Sequence, residues 1–262
     1  MDEGAYAAVC EAAARLGVAL SCEELATLAS DHNMGEAELK AIGQTFSYLA
    51  EKRRQASIET LLRLSRLPRR EPKTFDNFDF SRIQGKDAAA LTKLPALADL
   101  HTHRNVAFIG PGGIGKTHLA QAYARQCCLK GLKAYYIKAT ELRNRLLRAI
   151  ERGGTSRAVA ALVKPYRLVV DEVSRCVFDK QCTDLFFDVI DRRYEKEGPS
   201  TMILLMCNKK CAGIASRIEQ RCHRKLSSIR MGRPLGARGA ARSIFPPGGL
   251  TLASPARRRK GR

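Results

Sequence analysis

No stretch of the 262 residues approaches the ~18 consecutive apolar residues that a membrane-spanning helix needs, so neither a span nor a membrane partner is expected. The amino terminus, Met-Asp-Glu-Gly, is acidic where a secretory leader would be basic and then apolar, which predicts a cytoplasmic protein. The nine cysteines contain no C-x-x-C pair and are odd in number, against a disulfide framework. Cys207, Cys211, Cys222 and His223 fit no common zinc spacing. Acidic residues all but vanish near the end: from Asn208 to Arg262 there are 15 basic residues and 1 acidic, so this segment carries +14 of the net +20. Charge of that sign and size points to a polyanion partner.

What is present is more specific. Gly110-Pro111-Gly112-Gly113-Ile114-Gly115-Lys116-Thr117 is a complete phosphate-binding loop, G-x-x-x-x-G-K-[ST]. Asn105-Val-Ala-Phe-Ile109 before it is a short apolar run of strand type. The residues after it, from His118 to Arg125, are free of Gly and Pro and favour a helix. Strand, glycine loop and helix, in that order, build an anion cradle: the glycines let backbone N–H groups face inward, and the helix adds its positive dipole end. Lys116 would reach the β/γ-phosphates of a nucleoside triphosphate, and the Thr117 hydroxyl would take a position on Mg²⁺.

The metal also needs a carboxylate at the end of a neighbouring strand. Tyr166-Arg-Leu-Val-Val-Asp171-Glu172 supplies two, after a buried-type apolar run. Asp171 would hold Mg²⁺, directly or through water, and Glu172 would orient and deprotonate the attacking water. A third run, Met202-Ile-Leu-Leu-Met-Cys207, ends in Asn208, placed to sense the γ-phosphate or position the water.

Strands alternating with helices predict an α/β fold: a parallel sheet with helices on both faces, preceded by a small helical region. Residues 1–70 read as helical, with the capping pattern Ser21-Cys-Glu-Glu24 and apolar residues at Leu39, Ile42, Phe46 and Leu49. Lys52, Arg53, Arg54, Arg63 and Arg66 on the last of these helices form either a solvated face or a DNA-facing one. In the connector, Phe75, Phe78 and Phe80 are expected to pack onto the core, and a helix of the Leu91–Leu100 type to lead into the first strand. The core runs over 71–208. Beyond it, 209–262 lose apolar periodicity and read as a basic tail, disordered or displaced in reading frame.

With these motifs the chain resembles the IstB/DnaC-like AAA+ ATPases, which assist insertion-sequence transposases or load replicative helicases. The likeness runs from about Tyr48 to Asn208. It is carried by Lys73-Thr-Phe-Asp-Asn-Phe-Asp-Phe80, Gly115-Lys-Thr-His-Leu-Ala120, Ala139-Thr-Glu-Leu142, Val169-Val-Asp-Glu172 and Asp191-Arg-Arg-Tyr-Glu195. The helical leader with a phenylalanine-rich connector is similar to the IstB branch. The resemblance implies ATP and Mg²⁺ as cofactors, a transposase (IstA-like) and double-stranded DNA as partners, and, were the C-terminal region intact, a homo-oligomer. Gly110 to Thr117 with His118 would bind ATP, Thr117 and Asp171 the metal, and Glu172 and Asn208 would act on the water and the γ-phosphate. The alternatives are a DnaC-like helicase loader and a degraded, non-catalytic remnant. In the family a further strand closes the sheet and an arginine reaches the neighbouring subunit's γ-phosphate. After Asn208 no such pattern is visible here and Arg217 is the one candidate by order, so an open sheet edge, weak ATP binding and slow hydrolysis are expected.

Overall fold

In a computed structural model of the chain, residues 3–83, 88–100, 105–198, 200–206 and 226–231 are described. The first three helices, α1 (Glu3–Arg15), α2 (Cys22–Asp31) and α3 (Glu36–Leu64), form a unit around Tyr6, Val9, Leu25, Ala29 and Leu39. Ser21 and Glu24 close the expected capping box on α2. Gly35, at the start of α3, donates its N–H to Glu38 at 3.0 Å. Ile42 and Phe46 pack on this small core, whereas Leu49 lies exposed beyond it. Two short helices offer little area, and the apolar stripe of the 29-residue α3 outruns the partners available to it.

α3 does not end free. Ser65 caps it, and the Ser65 carbonyl accepts the Tyr136 N–H at 2.8 Å, while Arg66 bonds the Tyr135 hydroxyl and pairs with Glu141. The connector then crosses the core, with Phe75, Phe78 and Phe80 packed against it as expected. The stretch before the first strand is not a single helix. It is a one-turn helix, α4 (Ala88–Leu91), followed by 3₁₀ turns at Leu94–Ala96 and Ala98–Leu100. Pro95 opens the first turn and Leu97 takes a left-handed φ of 56°, which a continuous helix forbids.

The core alternates β1 (Asn105–Ile109), α5 (Lys116–Leu129), β2 (Ala134–Lys138), α6 (Ala139–Glu151), α7 (Thr155–Val163), β3 (Arg167–Asp171), α8 (Lys180–Glu195) and β4 (Thr201–Met206). Each strand is buried on both faces, with side chains divided by the strand period of two. Val106, Phe108, Val169, Ile203 and Leu205 meet α5 and the connector. Ala107, Leu168, Val170, Met202 and Leu204 meet α6, α7 and α8. α7 has no counterpart in the motif-based reading, because Gly153-Gly154 and the basic run around it mask a nine-residue helix.

The sheet has five parallel strands in the order β2-β3-β4-β1-β5. The fifth, β5 (Leu226–Arg230), lies within the stretch that the sequence reads as a basic tail. It pairs with β1 from Asn105 opposite Leu226 to Ile109 opposite Arg230. Just beyond it, the Met231 N–H donates to the Ile109 carbonyl at 2.8 Å. Main-chain hydrogen bonds from the waiting β1 edge recruit this strand, so a five-residue segment with two serines needs no strong apolar alternation to join the sheet.

At the opposite end of the sheet from the glycine loop, Arg193 of α8 is buried and donates to five carbonyls: Leu162, Val163, Pro165, Tyr166 and Thr201, at 2.8–3.1 Å. Burial, and then the nearby Arg167 cation, push its guanidinium down to about 9, which leaves it charged at neutral pH. Five acceptors on one cation tie α8 to the end of α7 and the start of β4.

Candidate nucleotide-binding site

The site forms where β1 gives way to α5. Gly115 has a φ of +99°, a conformation L side chains rarely adopt, and a Cβ there would lie 2.6 Å from the Phe78 ring. The loop can therefore be this tight only with glycine at 115, and the connector is already pressed against it. Gly110 is constrained from the other side, since a Cβ would lie 2.7 Å from the Met231 carbonyl oxygen. Ile114 is buried in the core and anchors the loop from below.

Gly112, Gly113, Gly115, Lys116 and Thr117 line a cleft of about 330 Å³ together with Asp171, Glu172 and Met206, at the carboxyl ends of β1, β3 and β4. The sequence-predicted groups from two distant motifs thus share one opening. Lys116 Nζ lies 2.7 Å from the Gly110 carbonyl and 2.6 Å from that of Pro111, held over its own loop. The Thr117 hydroxyl donates to Asp171 Oδ2 at 3.0 Å across 54 residues of sequence.

Asp171 is the most heavily bonded acid here. Besides Thr117 it accepts the Tyr136 hydroxyl at 2.7 Å on Oδ2 and the Glu172 N–H at 2.7 Å on Oδ1. Burial first, and then the bond to Asp171, push the Tyr136 phenol well above the usual tyrosine range, so it stays a donor. Tyr136 was not among the candidate site residues. Its signal lay in the period of β2, where Tyr136 shares a face with Ala134, but an aromatic residue in a strand reads first as core.

Glu172 leaves the strand in a left-handed turn, φ 58°, that swings its side chain out of the sheet. Its carboxylate lies 3.4 Å from Arg175 and 3.8 Å from Lys138. His118 faces the connector instead of the cleft: its Nε2 lies 2.9 Å from the Thr74 carbonyl and 2.8 Å from Asn77 Oδ1, with the Phe78 ring edge-on at 5.0 Å. Asn208 and Arg217 lie outside the described residues, as do Cys207, Cys211, Cys222 and His223. Among the described residues no helix is long and apolar enough to cross a membrane.

Comparison with known proteins meets this geometry. The profile of the family described as IstB-like ATP binding protein matches residues 12–212. The ATP-binding protein of insertion sequence IS5376 from Geobacillus stearothermophilus is 36% identical over 185 residues, 71% of this chain and 70% of that protein. That of IS21 from Pseudomonas aeruginosa is 32% identical over 157 residues, covering 60% of this chain and 57% of its own length. Among solved structures, AMPPCP-bound DnaA from Aquifex aeolicus superposes with a TM-score of 0.50 at 21% identity, over 63% of this chain and 51% of that one. The DnaC helicase loader gives 0.50 at 18%, over 61% of this chain and 97% of that one. These two likenesses show a shared fold.

Proposed function

Because the chain belongs to the IstB-like ATP-binding protein family, we propose that it is the ATP-binding helper of a transposase in an insertion sequence, acting on DNA. The relatives quoted are insertion-sequence proteins, which favours a transposase over a replicative helicase as the partner. The observation that carries the nucleotide reading is the bond between Thr117 and Asp171 beside the glycine loop.

The donor set there suits Mg²⁺. Both groups offer oxygen, and their separation of 3.0 Å matches the edge of an octahedron of ~2.1 Å Mg–O bonds. Such an ion would neutralise charge on the β- and γ-phosphates. In this reading the N–H groups of Gly112 to Lys116 hold phosphate oxygens, and the Lys116 ammonium exchanges the carbonyls of Gly110 and Pro111 for the phosphate chain. His118 acts through Thr74 and Asn77, fixing the connector against the loop. Glu172 activates water only once its carboxylate leaves Arg175 and Lys138, so hydrolysis by the isolated chain is slow.

The helical unit and the foot of α3 supply the DNA surface. Arg15, Arg53, Arg54 and Lys130 edge a cleft of about 760 Å³ between α1, α3 and the end of α5. Arg63, Arg69 and Arg125 edge another of about 440 Å³ between α3, the connector and α5. ATP-dependent binding of duplex DNA, measured by fluorescence anisotropy with the intact chain, tests the whole assignment. Lys116→Ala should abolish the ATP dependence. Arg53→Glu with Lys130→Glu should weaken DNA and flatten its salt dependence, each lost phosphate contact reducing the log–log slope by ~0.9. DNA affinity equal with and without ATP in the unaltered chain would instead support a non-catalytic remnant.

A further inference from the structure

Outside the cleft, one pair of nucleophiles is poised for chemistry of its own. Cys10 on α1 and Cys22, the first residue of α2, bring their Sγ atoms to 3.7 Å. Cys22 is exposed, and Cys10 is half-buried at the border of the helical core. An exposed thiol at a helix start contributes little to packing. A metal reading is also poor, since among the described residues no third ligand joins the two sulfurs.

We propose that Cys10 and Cys22 are a redox-active dithiol that closes to a disulfide in exchange with a low-molecular-weight disulfide of the glutathione type. The sulfurs must approach by only ~1.7 Å to reach bonding distance, within the range of side-chain rotation. Ser21, locked in the α2 capping box, holds the Cys22 backbone in place while that happens.

The exposed Cys22, as thiolate, attacks one sulfur of the oxidised disulfide. That S–S bond breaks and one small thiolate departs. Cys10 then gives its proton to water and attacks the Cys22 sulfur of the mixed disulfide, releasing the second small thiolate. Two protein thiols are oxidised and one small disulfide is reduced to two thiols. Burial, followed by the bond and charge of Cys22, pushes the Cys10 thiol up, which casts it as the resolving partner and not the attacker. Cys127, Cys128 and Cys182 are buried and Cys176 is half-buried, so among the described residues none is as open to first attack as Cys22. The product would staple α1 to the first turn of α2.

The test is to incubate the full chain with oxidised glutathione and follow intact mass and non-reduced peptide maps. The expected result is a loss of two hydrogens, a peptide linking Cys10 to Cys22, and reversal by dithiothreitol. In Cys10→Ser, glutathione should remain attached to Cys22, because nothing displaces it. Glutathione persisting on Cys22 in the unaltered chain overturns the proposal. So does a first crosslink through any other cysteine, or an unaltered chain that stays unmodified.

Discussion

Replacing Gly110 by alanine should loosen the far edge of the sheet without touching any phosphate-binding atom. The added Cβ would sit 2.7 Å from the Met231 carbonyl oxygen, closer than real Cβ contacts come, and that oxygen belongs to backbone with no soft end to yield. The segment after β5 must therefore retreat by roughly half an ångström, straining the bond from Met231 N–H to Ile109. Overpacking of this kind costs about 1–3 kcal/mol, and a weakened backbone bond about 1 kcal/mol of that. Taking ~2 kcal/mol and ~2–4 °C per kcal/mol for a domain of this size, the melting midpoint should fall by roughly 4–8 °C. Gly112→Ala is the matched control: it alters the same loop, has nothing within 4 Å of its Cβ, and should melt with the unaltered chain. Circular dichroism melts without nucleotide give the comparison. Hydrogen exchange should show the Met231 amide losing protection in Gly110→Ala alone. Equal midpoints for the two variants would falsify the placement of β5 beside β1.

Three further outcomes follow from the site and its supports. Gly115→Ala meets both the Phe78 ring and an unfavourable φ, so ATP affinity by calorimetry should drop at least about ten-fold, ~1.4 kcal/mol, and Phe78→Ala should restore only part of it. Tyr136→Phe removes a hydrogen bond to a carboxylate worth about 1.5–3 kcal/mol, read from urea unfolding. Because the Tyr136 phenol is raised in the folded chain, its stabilisation is whole below pH ~10 and is lost as pH climbs beyond that. Absorbance titration should show a late step from Tyr136 in the unaltered chain that the variant lacks. Arg193→Lys replaces the planar fork with one three-donor ammonium; the Val163 and Tyr166 carbonyls keep Lys196 and the Thr201 N–H, so the cost is at least one lost bond to a charged group, about 1.5–3 kcal/mol, and a urea loss under ~1 kcal/mol would show that these bonds do not bind α8 to the sheet.

The motifs and strand runs that announce themselves in sequence do so because the phosphate cradle admits few residue types. Glycine at 115, lysine at 116 and the acids at 171 and 172 leave a local imprint. Ser21 and Glu24 do likewise, since a capping box is satisfied within four residues. What stayed hidden depends on partners distant in the chain. β5 is held by the free edge of β1, and Tyr136 and Arg193 look like core aromatic and surface cation until burial surrounds them with acceptors. His118 was assigned to the nucleotide from its position in the motif, and in the structure it contacts Thr74 and Asn77, whose proximity no spacing reveals.

Tyr136 also connects two parts of the molecule by itself. Its main-chain N–H is held by the Ser65 carbonyl at the foot of α3, while its hydroxyl holds Asp171. If Asp171 holds a cation as proposed, a shift of its carboxylate would be passed through Tyr136 to the base of a 29-residue helix, about 43 Å long at 1.5 Å per residue. A helix that length is a lever arm. Pivoting it by only ~5° at Ser65 would sweep its far end, where α1 and α2 ride, through about 4 Å. Spin-label distances between α2 and α5, with and without ATP, would register that swing, and unchanged distances would show the arm to be fixed.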